Sequence, residues 1–128
     1  MLDNIPQKIR QDVEYFIKEK GFEVKEVQTS ESFGNFYVVL TSDDFWMSLI
    51  SDRSQEFVNL SNDQGNKWIF IEHIRIILNP NISRVNLYIY RFEESINFVK
   101  ENYSAILNLF SNENITETKR LLKKWFNY

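Results

Sequence analysis

Reactive side chains are scarce in this chain of 128 residues, and their spacing gives little chemistry to work with. The only imidazole is His73, with Glu72 before it and Arg75 two residues on, a trio that could act as a general base with an orienting partner. No serine, threonine or lysine beside it has the setting of an activated nucleophile, so a packing role is the expectation. Asp43-Asp44 and Glu93-Glu94 are adjacent carboxylates. Neighbours in sequence diverge on a strand or helix and cannot flank one bond, so they read as a solvated turn and a solvated helix face. One histidine, no cysteine and no acidic loop with the required glycine leave no metal site to expect. Gly21, Gly34 and Gly65 lie too far apart for a phosphate-cradling loop and read as one helix stop and two turns. Neither a cofactor nor an enzymatic activity is expected.

Charge is distributed unevenly. Residues 22–66 hold eight carboxylates, Glu23, Glu26, Glu31, Asp43, Asp44, Asp52, Glu56 and Asp63, against the two cations Lys25 and Arg53. Residues 1–21 balance at four and four, and residues 67–128 carry nine cations against six anions. The net charge of -3 therefore conceals an acidic segment that can attract a cationic partner and speed its encounter. Tyr37 and Trp46 lie in that segment, and aromatics on an acidic rim are common anchors at protein interfaces. Asp52-Arg53 can pair across a turn or face a partner together. The overall acidity, with a sequence pI near 5.2, argues against nucleic acid or a membrane surface as the main partner. The cluster Lys119, Arg120, Lys123 and Lys124, beside Trp125, Phe126 and Tyr128, could touch RNA. Cations late in a helix are also what its dipole favours.

These side chains need a scaffold, and the apolar periodicity supplies one. Hydrophobic content of 43%, aromatic content of 16% and only five Pro and Gly together indicate one packed domain over residues 1–128. Ile5, Ile9, Val13, Phe16 and Ile17 recur at helical spacing up to Gly21. Period-two stretches follow at 22–31, 35–41, 45–51 and 55–61, separated by turns short enough for hairpins. In 35–41, Phe36, Val38 and Leu40 fall on one side and Tyr37 and Val39 on the other. Residues 68–78 fit a helix by spacing, while their isoleucines leave a strand open. Val85, Ile89, Phe92, Ile96, Val99, Tyr103, Ile106 and Phe110 predict one long helix, which leaves homodimerisation through it open. Asn114 as a cap and Glu117 at N3 open a last helix with an Ile115, Leu121, Leu122, Trp125 stripe. The expected fold is α+β: an N-terminal helix, a four-stranded antiparallel meander, then two or three helices on one face of the sheet. Without cysteine, a basic leader or a long apolar run, the expected setting is the cytoplasm.

Two portions of the chain carry a resemblance. Phe33-Gly34-Asn35 with Tyr37-Val38-Val39-Leu40, and Ser51-Asp52-Arg53-Ser54-Gln55-Glu56-Phe57-Val58-Asn59-Leu60, form a strand-turn-strand pattern. Glu101-Asn102-Tyr103, Ile106, Leu109-Phe110-Ser111, Glu113-Asn114 and Glu117-Thr118 form a helical ending. Together they are similar to small bacterial immunity-type proteins of polymorphic toxin and contact-dependent growth inhibition systems, although Ser54 stands where glycine is expected. The resemblance implies a cytoplasmic antitoxin that occupies a cognate toxin domain made by sister cells. It transfers no binding residue, so the expected contact surface is the physical one: Tyr37, Asp43, Asp44, Trp46, Asp52, Arg53, Glu56 and Asp63. The competing expectation is a non-catalytic adaptor or chaperone-like module for an endogenous partner.

Overall fold

The computed structural model describes residues 2–31, 34–88 and 91–128. Helix α1 (Gln7–Lys20) buries Ile9, Val13 and Phe16, and leaves Ile17 largely outside. Pro6 stands at its N-cap, ahead of the intrahelical ladder, so its ring breaks no helical hydrogen bond. Gly21 ends the helix at φ 71°, a left-handed turn that lets the Phe22 N–H reach the Phe16 carbonyl at 3.1 Å.

Five strands follow in meander order: β1 (Glu23–Thr29), β2 (Phe36–Thr41), β3 (Trp46–Asp52), β4 (Gln55–Ser61) and β5 (Ile69–Phe70), each antiparallel to the next. The expected count of four is short by one. Ile69 and Phe70 pair with Leu60 and Asn59 before the chain turns into α2 (Ile71–Leu78), so the 68–78 tract is strand and then helix. Ile69 continues the inward alternation, and Ile71, Ile74 and Ile77 then need helical spacing to reach the same core.

The long heptad helix is also corrected. Val85 is 86% exposed in a turn, Ile89 lies outside the described residues, and helix α3 (Phe92–Glu101) begins only at Phe92. At Asn102 the side-chain amide donates to the Phe98 carbonyl at 3.0 Å, alongside the residue's own N–H, and the backbone leaves the α-helix at φ -116° and ψ 22°. Helix α4 (Tyr103–Phe110) resumes from there, and α5 (Ile115–Phe126) closes the chain. Asn114 precedes α5 without capping it. Its amide donates instead to Asn108 and Ser111, and Thr118 and Leu122 form the buried stripe while Trp125 stays 39% exposed.

One core joins all layers. Phe36, Val38, Leu40, Met47, Leu49, Val58, Leu60 and Ile69 from one sheet face pack with the buried residues of α1, α2, α3, α4 and α5. The phenylalanines bridge the layers: edge contacts run from Phe16 to Phe22 at 5.6 Å, on to Phe45 at 5.5 Å, and from Phe45 to Phe110 at 6.0 Å. No helix among the described residues is long and apolar enough to cross a membrane.

Candidate functional site

Because successive side chains alternate across a strand, the register that buries one face dictates what the other presents. One row of partners on the open face runs Glu26, Val39, Ser48, Asn59, Phe70; the next runs Gln28, Tyr37, Ile50, Phe57. None of these belongs to the helix-side core. Ser48 and Asn59 are buried within the first row, where Asn59 Nδ2 donates to Ser48 Oγ at 3.1 Å and satisfies both. Val39 is buried in that row as well, Phe70 at its end is 43% exposed, and Tyr37, Ile50 and Phe57 are half-buried, so an apolar row lies between the buried middle of this face and its Asp52 end. Burial, helped by the charge of Glu26, pushes the Tyr37 hydroxyl above its ordinary pKa and keeps it a neutral donor.

The carboxylates gather at the two ends of this face. At one end the Ser42 hydroxyl accepts from the Asp44 and Phe45 N–H groups and donates to the Phe45 carbonyl, closing the β2–β3 turn. That turn carries Asp43 and Asp44 beside Glu23, Trp46, Asn62 and Gln64 around an open cleft of about 460 Å³. At the other end stand Asp52 and Arg53. The two ends lie roughly 17 Å apart along β2, at about 3.4 Å per residue.

The expected contact residues divide accordingly. Tyr37 is on the open face and Asp43 is exposed at its rim, with no side-chain ion pair to another described residue. Asp52 and Arg53 form an exposed ion pair at 3.4 Å, while the Arg53 N–H donates to Asn35 Oδ1 at 2.8 Å and ties two loops together. Trp46 is on the same face but held: Lys25 Nζ sits 4.3 Å from its ring centroid, and Gly65 packs on it so closely that a Cβ there would lie 3.1 Å from the ring. Three of the eight are also engaged within the fold. Glu56 falls on the helix side of β4, where its Oε1 accepts from the Phe92 N–H at 3.0 Å and caps α3. Asp44 Oδ2 accepts from the Tyr103 hydroxyl at 2.7 Å. Asp63 Oδ1 accepts from the Ser61 hydroxyl at 2.7 Å and the Lys67 N–H at 3.0 Å. Burial alone would raise the Asp63 carboxyl, but those bonds and the charge of Lys119 hold it below the usual range. Backbone donors of a turn and a helix start engage Asp63 and Glu56, and a tyrosine hydroxyl engages Asp44.

Ile50, Phe57 and Phe70 are the surface residues missed from sequence. Alternation within each strand contains that signal, but matching one strand to the next requires the register.

His73 has a different environment from that of a general base. Its ring stacks on Phe126 at 3.9 Å, with Phe70, Tyr88 and Tyr128 edge-on around it. The Tyr128 hydroxyl accepts from the Phe70 N–H at 3.0 Å and lies 2.7 Å from His73 Nδ1, a hydrogen bond that either tautomer of a neutral imidazole can make. Burial, reinforced by Arg84, lowers the His73 pKa and favours that neutral form. Among the described residues, no group of three or more His, Asp or Glu is placed to hold a metal ion.

No protein-family model matches the chain, and neither a curated protein nor a solved structure is similar to it.

Proposed function

We propose that this protein is an immunity-type inhibitor that covers a basic bacterial toxin domain with the open face of its sheet. One observation carries the reading: helices pack on one face of the meander, and the other, beside its buried Val39, Ser48 and Asn59, presents the half-buried row Tyr37, Ile50 and Phe57 next to acidic turns. An antiparallel sheet facing only water alternates to polar residues on that side. Here Tyr37, Ile50, Phe57 and Phe70 stand in that position, the arrangement of an interface with anchoring aromatics inside a polar rim. The rim carboxylates Glu23, Asp43 and Asp52 give the surface its preference for a cationic partner and a faster encounter at low salt.

The deciding experiment is co-expression with the product of the neighbouring reading frame, which the proposal expects to end in a toxin-like domain. Wild type is expected to restore growth, and Tyr37→Ala combined with Ile50→Ala is expected to lose that rescue while keeping a cooperative folding transition. No rescue by wild type, or full rescue by the folded double variant, rejects the proposal.

A further inference from the structure

Away from the open sheet face, the β4–β5 loop, the end of α4 and one side of α5 enclose a cleft of about 250 Å³. Its floor is apolar: Ile69 and Leu122 are buried there, and Ile115 and Phe110 form the walls. Its mouth is cationic. Lys119 and Lys123 are one turn apart on α5 and therefore on the same side of the helix, and Lys67 faces them from the loop. None of the three ammonium groups forms an ion pair with another described residue, whereas Arg120, on the same helix, is bound to Glu117 at 2.6 Å.

We propose that this cleft binds a small carboxylic acid with an apolar body of about six carbons. Size, floor and mouth each limit the choice. The volume has room for about eight water-sized groups at roughly 30 Å³ each, the heavy-atom count of hexanoate. A purely polar anion would leave the isoleucine and leucine floor unfilled, and a neutral alkane or alcohol would gain nothing from the three exposed ammonium groups at the mouth. The remaining lining charge is Asp63, whose Oδ1 is already engaged by Ser61 and by the Lys67 N–H. Three cations against that one carboxylate leave the mouth net positive, which favours an anionic head over a neutral one. The site is independent of the inhibitor reading and stands or falls without it.

Titration of methyl-labelled protein with hexanoate, followed on the methyl resonances of Ile69, Ile115 and Leu122, tests the assignment. Hexanoate is expected to give saturable shifts, with acetate and hexan-1-ol at least tenfold weaker. Lys119→Gln combined with Lys123→Gln is expected to weaken hexanoate at least tenfold and leave hexan-1-ol unchanged. Non-saturable shifts, hexan-1-ol binding as well as hexanoate, or a folded double variant that binds hexanoate like wild type would each overturn the proposal. The comparison of hexanoate with hexan-1-ol uses wild type alone, so it decides even if the variant unfolds.

Discussion

Tyr103 reaches from α4 to the β2–β3 turn, and its hydroxyl donates to Asp44 Oδ2 while Lys20 Nζ lies 4.4 Å from the ring centroid. Burial, and then the Asp44 charge, raise the pKa of this hydroxyl, which stays protonated and keeps the bond across the neutral range. Tyr103→Phe is expected to cost about 1.5 kcal/mol, the low end for a bond to a charged acceptor because Asp44 is exposed. A lower urea midpoint with an unchanged slope checks it. At His73 the native state prefers the neutral ring, so between its lowered pKa and the ordinary 6.5 the unfolded chain binds more protons. Stability therefore rises with pH through that window and is complete above 6.5. Burial of Glu72 raises its carboxyl against the pull of Arg75 and gives the opposite slope above the ordinary 4.5. Comparison with His73→Gln removes the Glu72 contribution, since both proteins keep that residue. The stability advantage of wild type over His73→Gln is expected to be constant above pH 7 and to shrink on acidification towards pH 5. An advantage that stays flat would mean the imidazole does not titrate differently on unfolding.

Turns and helix starts show where elements meet with imperfect local residues. Arg53 and Ser54, the central pair of the β3–β4 hairpin, take φ values of 50° and 69°, the left-handed pair of a type I′ turn that normally selects Asn-Gly. Arg53→Asn with Ser54→Gly is expected to stabilise the protein by about 1 kcal/mol, read from the thermal midpoint, since L side chains are strained in that region. Gly65 is the converse case. With φ 81° and Trp46 against it, Gly65→Ala is expected to lose about 2 kcal/mol from left-handed strain and a displaced indole. Helix α3 starts on a carboxylate borrowed from β4, so Glu56→Ala is expected to cost about 1 kcal/mol by chemical denaturation, as removal of a cap does. Its first turn also holds Glu93 and Glu94, which favour that helix end. Lys100 joins α3 to α1 through Asp12 at 2.8 Å and lies over the Tyr15 ring.

For the whole molecule, the distinction between carboxylates at the exposed rim and those that bond one element to another decides how charge should enter recognition. Glu23→Gln, Asp43→Asn and Asp52→Asn together are expected to slow association with a basic partner and flatten its salt dependence, with little change in thermal midpoint. Amides at Asp44 and Glu56 would instead register mainly as lost stability. Composition and short-range periodicity were enough for the α+β class, for α1 up to its glycine, and for three central strands with Phe36, Val38 and Leu40 facing the core. Those features depend on neighbours within a few residues, where backbone geometry alone sets which side chains share a face. Closure in three dimensions was needed for the rest: Glu56 turned onto a helix 36 residues away, Asp44 onto a tyrosine 59 away, and His73 onto a tyrosine 55 away. It also broke the heptad helix at Asn102 and put an apolar row, not a continuous acidic layer, on the open face. The reason is that a charge pattern along the chain carries no register. Strand pairing and loop lengths choose which acids meet a buried donor and which remain in water.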